Sequence, residues 1–585
     1  MTALRCIRLV FAAVLAGAVL ATAASAARPN IVIVLTDDQR ADGADRMPVV
    51  QDRLAAHGVT FSNAFVTNSL CCPSRTTLLT GRYSHATGVW SNTMPFGAWR
   101  AFRQLGAERQ TIAVALRAAG YRTSLIGKYL NGYGAATNVN GYGGATIPPG
   151  WNEWRSFVFG QGYYGYTLNL NGALLKYGEA PEDYSTDVLA GFATDFIRRS
   201  ATSSRPFFLL FAPAAPHEPA IPAPRHADVD LGLPPFAPPS LNEDLADKPE
   251  YMRLRAKPPG AQTFRTNQYR TLLAVDEAVG LILDELEATD TLRNTIVVFM
   301  SDNGVEWGEH GFGAAQKSVP HEGSIRVPFI VRYDRLVAEA RTDERLVTNL
   351  DVAPTLASLA GIRFPSDGAN LVPLLRDSAT TGWRKRFLVE HLGQVPSGVP
   401  SYCGIRSRRF LYTLYATGEQ ELYDLAFDPY ELDNRAGDPL LGDTRRHLLR
   451  QVRRLCYPLP PGYHPGRICT LTGTARGDNL TGTRGRDFVC LGGGHDRVST
   501  GNGADTVHAA APTIGAAAKA TFVQRGFGPL GSTITTGPGD DRIFALNGRR
   551  DTIRCGAGDD ELFADRFDLF GRDCELVANF GRRPN

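Results

Sequence analysis

The chain of 585 residues carries 62 Lys and Arg against 59 Asp and Glu, a net charge of +3. A balance so close to neutral excludes a basic nucleic-acid-coating surface, and no nucleic-acid partner is expected. With 43% hydrophobic residues, the chain is long enough for about two to four domains with substantial cores.

Residues 1–26 open with Arg5 and Arg8, continue as an apolar run and end at Ala24-Ser25-Ala26. That is the pattern of a secretory signal peptide with a small-residue cleavage site, which stands outside the fold. A membrane anchor is the alternative. The run is short and Ala-rich, however, and no later stretch reaches about 18 uninterrupted apolar residues, so stable membrane insertion is not expected. The mature protein reads as secreted or extracytoplasmic, a setting that permits disulfides. Of nine Cys, Cys6 falls in the signal. Proximity in sequence pairs Cys555 with Cys574, Cys469 with Cys490, and Cys403 with Cys456, other connectivities staying open.

Residues 30–35 (Asn-Ile-Val-Ile-Val-Leu) lack alternation, as expected of a strand buried on both faces of a parallel sheet. The run leads to Asp37 and Asp38. A cap or turn is the ordinary role of Asp after a strand, but two adjacent carboxylates repel each other unless a cation or an Arg lies between them.

Next comes Cys71-Cys72-Pro73-Ser74-Arg75-Thr76-Thr77-Leu78-Leu79-Thr80-Gly81-Arg82, which reads as a short helix. Pro73 suits its first position, Leu78 and Leu79 give it an inward face, and Gly81 stops it. The helix N-terminus, with Arg75 beside it, favours an anion facing Cys71. A buried Cys pair packing as small hydrophobes is the plainer alternative.

Further strands are expected at 121–126, leading to Lys128; at 206–211, leading to His217; and at 294–300, leading to Asp302 and Asn303. Helices are expected at 111–119, 183–199 and 269–286 from their apolar spacing, and one more at 351–360. The alternation predicts an α/β domain with a mostly parallel sheet, whose strand ends gather ligands. Residues 410–423 read as strands of a smaller α+β subdomain. The Pro-rich stretch 219–259 reads as a long surface excursion that shapes a pocket.

Beyond the linker-like 457–468, Asp478, Asp487, Asp496 and Asp505 recur every nine residues. Leu480, Val489, Val498 and Val507 each follow two places later, and 541–562 repeats the scheme. Such a period predicts a parallel β-roll or β-solenoid. It looks like the calcium-binding RTX nonapeptide repeats, with the double Gly degraded and the array interrupted at 509–531. The resemblance implies Ca²⁺ in these repeats, and a metal-free solenoid held by disulfides is the alternative.

The Cys71 stretch resembles the signature of the sulfatases, whose first Cys is oxidised after translation to formylglycine. By that resemblance Cys71 is the residue converted, by a formylglycine-generating enzyme, and Cys72 is the variable position. The likeness runs over about 28–438 and includes Asp351-Val352-Ala353-Pro354-Thr355 and Leu422-Tyr423-Asp424. It implies an alkaline-phosphatase-like α/β fold, with a catalytic domain at 27–345, a C-terminal subdomain at 346–456 and an RTX-like region at 469–585. Metal ligands would be Asp37, Asp38, Asp302, Asn303 and an oxygen of the modified Cys71. Hard oxygen donors suit Ca²⁺ or Mg²⁺ rather than Zn²⁺. The two-zinc phosphatases of the same superfamily need a His where Asn303 stands.

The implied chemistry uses both hydroxyls of an aldehyde hydrate. One attacks sulfur in line; loss of the proton from the other collapses the diol and expels sulfate. Arg75 would orient the hydrate, Lys128 and Lys317 would bind sulfate oxygens, and His217 would protonate the leaving alcohol, with Lys317 as its neighbour or substitute. Many arylsulfatases place a His, credited with the second proton transfer, where this chain has Leu130; His85, His310 and His321 are the alternatives for that base.

Cys71–Arg75 together with Gly127-Lys128-Tyr129-Leu130-Asn131-Gly132-Tyr133-Gly134 looks most like the N-acetylglucosamine-6-sulfatase group, implying a sulfated carbohydrate substrate. A broad arylsulfatase acting on small sulfate esters, and a formylglycine-dependent phosphonate or phosphodiester hydrolase, are the rival enzymes. A calcium-dependent surface-binding protein on a sulfatase-like scaffold is the non-enzymatic rival, and the mass of the peptide spanning Cys71 separates it.

Overall fold

The computed structural model describes residues 28–456 except 94–95, 135–145, 254–260 and 394–397, and residues 471–579 except 474–476, 486, 492–494, 504, 509–529, 546–549, 559, 565–567 and 575. The expected signal 1–26, the linker 457–468 and Cys469 lie outside the described residues.

Ten strands make the central sheet: β1 (Asn30–Thr36), β2 (Gly58–Phe61), β3 (Arg122–Gly127), β4 (Glu153–Val158), β5 (Thr167–Leu170), β6 (Ala173–Lys176), β7 (Phe207–Ala212), β8 (Thr295–Ser301), β9 (Phe329–Arg332) and β10 (Arg341–Asp343). Their order is β10-β2-β9-β8-β1-β7-β3-β4-β5-β6. The middle run β8-β1-β7-β3-β4 is parallel throughout, and β9 and the β5–β6 hairpin join it antiparallel.

β1 shows why the sequence builds a sandwich of layers. Ile31, Ile33 and Leu35 point to one face, packing with Leu78, Leu79, Ile112 and Leu356. Val32 and Val34 point to the other, toward Leu189, Phe196, Val275 and Val279. Both faces of the strand are therefore dry, and each such side chain contributes about 1.5–3 kcal/mol of burial. The first face is covered by α1 (Cys71–Thr80), the second by α2 (Ser185–Ala201) and α3 (Gln262–Ala288).

Two details of α1 differ from the expectation. The helix starts at Cys71, so Pro73 is its third residue, still within the turn whose N–H groups have no intrahelical partner. It is also buried on every side rather than along one face, because residues 349–359 and the helices at 84–87, 98–104 and 112–118 pack around it. Gly81 ends it in the left-handed conformation, as expected, with φ 65°.

A four-stranded antiparallel sheet (Arg386–His391, Tyr402–Ser407, Phe410–Tyr415 and Gln420–Asp424) forms the smaller subdomain. The helix Gly442–Leu455 packs on it, tied by the Cys403–Cys456 disulfide. That bond closes 53 residues, so replacing Cys456 with Ser should lower stability by about 2–4 kcal/mol, read by denaturant unfolding. Among the described residues no helix is long and apolar enough to cross a membrane.

In the repeat region, short strands alternate between two parallel sheets, with six strands in one and five in the other among the described residues. Val489, Val498, Val507, Ile543, Ile553 and Leu562 are buried between them, as their period requires. The repeating Asp487, Asp496, Asp505, Asp541, Asp551 and Asp560 turn out to be buried as well, and such residues link successive turns. Asp496, Asp505, Asp541 and Asp560 each accept, through Oδ1, the backbone N–H of Asp478, Asp487, Asp505 and Asp541 respectively. Cys555 and Cys574 are bonded, as their proximity in sequence implied.

Candidate active site

Four neighbouring parallel strands deliver their C-terminal ends to one place. β1 is followed by Asp37 and Asp38, β8 by Asp302 and Asn303, β7 by the turn bearing His217, and β3 by Lys128. Thr36 lies level with Ser301, and Gly127 with Ala212. Gly127 is obligatory, since a Cβ there would lie 1.9 Å from the Ala212 carbonyl oxygen, and its φ of 115° suits only Gly. The Lys128 N–H then donates to that same carbonyl (2.7 Å), fixing where the lysine starts.

α1 brings Cys71 to this rim. Its Sγ lies 3.6 Å from Asp37 Oδ1, 3.9 Å from Asp38 Oδ1 and 3.2 Å from Lys317 Nζ. Cys72 differs in kind. It packs in the apolar cluster between α1 and the sheet, burial pushes its thiol up to about 12, and its N–H donates to Asn92 Oδ1 at 2.8 Å.

One turn on, Arg75 is 2% exposed. Its Nε donates to Asp302 Oδ2 (2.7 Å), its Nη1 to the Lys128 carbonyl (2.8 Å), and its Nη2 lies 3.9 Å from Asp37. A single guanidinium thus spans α1, β1, β3 and β8.

Each carboxylate of the pair faces a lysine. Lys128 Nζ donates to Asp37 Oδ2 (2.5 Å), and Lys317 Nζ to both oxygens of Asp38 (2.6 and 2.7 Å). Burial would raise the Asp37 carboxyl, but the charges of Lys128, His217 and Arg75 outweigh it and hold it at about 2. Asp38 is likewise lowered, its burial overcome chiefly by Lys317. Lys317 reaches the site from a strap pinned by the Ser318 N–H to the Ser69 carbonyl (2.9 Å). The Glu-Gly after it has a steric reason, because a Cβ on Gly323 would lie 2.5 Å from the Glu306 carboxylate and 2.8 Å from Arg40 Nη1.

The His217 ring is set by its own turn. Nδ1 lies 2.7 Å from the Glu218 carbonyl, and Nε2 points to Asp38 Oδ2 at 3.6 Å. Burial would lower the imidazole; the Asp37 and Asp38 charges outweigh it and raise it to about 9. The Tyr163 hydroxyl donates to the His217 carbonyl (2.7 Å).

The residues expected as metal ligands and catalytic groups are therefore assembled, with Asp302 joined through Arg75 and through the Asp38 N–H (3.1 Å). Among the described residues, the Cys, His and carboxylate atoms gathered within 4.8 Å of one another here belong to Asp37, Asp38, Cys71 and His217. The three other histidines are engaged elsewhere: His85 with Glu390, His310 with Glu243, and His321 stacked on His310 beside Glu421.

Gln268 was not anticipated. From α3 its amide donates to the carbonyls of Asp38 (3.3 Å) and Pro216 (3.1 Å), and its oxygen accepts the Trp307 indole N–H. A polar residue in line with Leu272, Val275 and Val279 was the available signal. Asn92 and Tyr163 sit in irregular segments, with no local pattern to mark them.

The donor set suits a hard divalent cation. Asp37, Asp38 and Asp302 supply carboxylates, and the Asn303 amide oxygen is buried without a hydrogen-bond partner while its nitrogen donates to Asp38 (2.6 Å). An orphaned buried acceptor beside three carboxylates is what a cation site leaves when only the protein is present.

Comparison with known proteins agrees with this geometry. The sulfatase family model matches residues 29–362, a model of the N-sulphoglucosamine sulphohydrolase C-terminal region matches 308–457, and the RTX calcium-binding nonapeptide repeat matches 472–507 and 535–568. The chain is 35% identical to human N-acetylglucosamine-6-sulfatase over 391 residues, covering 64% of this chain and 69% of the relative. It is 34% identical to the extracellular sulfatase SULF-1 homolog of Drosophila melanogaster, covering 63% of this chain and 33% of that longer protein. A solved structure in complex with its substrate, D-glucosamine-2-N,6-O-disulfate, superposes with a TM-score of 0.64 at 25% identity, over 73% of this chain and 97% of that one.

Proposed function

The chain belongs to the sulfatase family and is a sulfuric ester hydrolase, and from that premise we propose that it cleaves the sulfate ester of a sulfated sugar of the glucosamine 6-sulfate type. The observation that carries this reading is the meeting of Cys71, two lysines, an arginine and an imidazole around three carboxylates at the ends of four parallel strands. The 6-sulfatase relatives and the sugar disulfate held by the structural neighbour support the sugar over an aryl ester.

In this reading Asp37, Asp38, Asp302 and Asn303, with an oxygen on the modified Cys71, would hold one Ca²⁺ or Mg²⁺. The cation and the formylglycine made from Cys71 by a formylglycine-generating enzyme supply the activated oxygen nucleophile. The protein's own groups do the rest. Arg75 keeps Asp37, Asp302 and the Cys71 turn in register. Lys128 and Lys317, each paired with one carboxylate, are placed to share their charge with sulfate oxygens. His217 presents Nε2 to the site while the Glu218 carbonyl holds Nδ1–H, so Nε2 is the proton donor to the leaving alcohol. Ordinary domain limits for this reading are 27–345, 346–456 and 469–585. The last is proposed as a β-roll holding Ca²⁺, and the protein as exported, in keeping with the extracellular name of its relative.

The test is sulfate release from N-acetylglucosamine 6-sulfate, an aryl sulfate and a phosphate diester, with Ca²⁺ and after chelation. The sugar sulfate should give the highest kcat/KM, and chelation should lower it by at least about tenfold. Equal or faster turnover of the phosphate ester contradicts the reading.

A further inference from the structure

His217 borders two spaces. Its Nε2 points to Asp38, and the residue also lines a cavity of about 490 Å³ together with Gln161, Tyr163, Tyr164, Glu179, Glu218 and Ile221, among others. The volume is that of a small-molecule site, and His217, the proton donor to the leaving alcohol, forms part of its wall.

The charge of this cavity is unlike that of the sulfate-binding side. Two carboxylates, Glu179 and Glu218, line it, and its described lining contains neither Lys nor Arg. Both are exposed along their rims, free to face a bound molecule. Tyr164 and Ile221 offer an aromatic and an apolar surface for a sugar ring, and Gln161 an amide for its hydroxyls. A second sulfate or a uronate in this space would meet two like charges, and His217, already paired with Asp38, is the sole counter-charge in the described lining.

Resting on the sulfated-sugar reading, we propose that this cavity selects a hexosamine 6-sulfate that carries no second anionic group, with Glu179 and Glu218 as the residues that exclude one. N-acetylated or free-amino sugars fit; N-sulfated sugars are disfavoured, in contrast to the disulfate bound by the structural neighbour.

The experiment compares kcat/KM for release of the 6-sulfate from N-acetylglucosamine 6-sulfate and from glucosamine 2-N,6-O-disulfate. Two carboxylates facing the extra sulfate across partly hydrated space imply a preference of about tenfold for the monosulfate. Raising ionic strength should narrow it, and the double variant Glu179→Gln, Glu218→Gln should bring the two values within about twofold. Equal or faster turnover of the disulfate overturns the cavity proposal alone, as does a preference that persists in the folded double variant, which would assign it to shape. Turnover of an aryl sulfate with neither sugar accepted overturns the sugar reading and the cavity proposal with it.

Discussion

Cys71→Ser should release sulfate at least about 10⁴-fold more slowly than the wild-type protein, as expected when the nucleophile of a coupled set is lost. The variant keeps a hydroxyl where the thiol stood, in contact with Asp37, Asp38 and Lys317. It can therefore accept one sulfuryl group, but its carbon bears no second hydroxyl whose deprotonation would expel it. Intact mass after exposure to substrate should show an increment of about 80 Da, an oxygen ester that accumulates because only its formation is supported. Cys71→Ala should be equally inactive and take up nothing. Sustained turnover by the serine variant would remove the two-hydroxyl chemistry from the account.

Arg75→Ala should cost about 3–5 kcal/mol of stability, because it strips the partner from a buried carboxylate. Asp302 loses its 2.7 Å donor, the Lys128 carbonyl loses its own, and Asp37 loses a neighbouring positive charge, all in a site closed to water. Arg75→Lys should recover only part of this, since one ammonium cannot span the same fork of acceptors. Denaturant unfolding separates this from a purely catalytic loss. A change below about 1 kcal/mol would mean that water or a rearranged lysine replaces the guanidinium.

The strand-end acids were visible in the sequence for a definite reason. β1 and β8 are buried on both faces, so their apolar runs are unbroken, and the polar residues that follow mark the sheet's C-terminal edge. The edge strands β6 and β10 and their neighbours β5 and β2 gave no such signal. They are three or four residues long and their pairing is decided by distant partners, Gly58 with Arg332 and Thr342 with Thr60.

The same division holds within the site. Lys128, His217 and Lys317 could be singled out because motif and strand end coincided. Gln268, Asn92 and Tyr163 act through backbone groups of other segments, and such contacts exist only once the layers have packed. In the repeats, the nine-residue period was plain, and the burial of its apolar positions followed. That the Asp carboxylates would also turn inward, capping the N–H groups of adjacent turns, depends on the stacking distance between turns and has no trace in a single repeat.

The two-hydroxyl chemistry depends on what Cys71 becomes. The tryptic peptide 54–75, alkylated before analysis, contains Cys71 and Cys72 and ends at Arg75. In protein made alongside a formylglycine-generating enzyme, conversion should lower its unalkylated mass by about 18 Da and leave one thiol, that of Cys72, to alkylate. A peptide that takes two alkyl groups, from protein that still releases sulfate, would contradict the account.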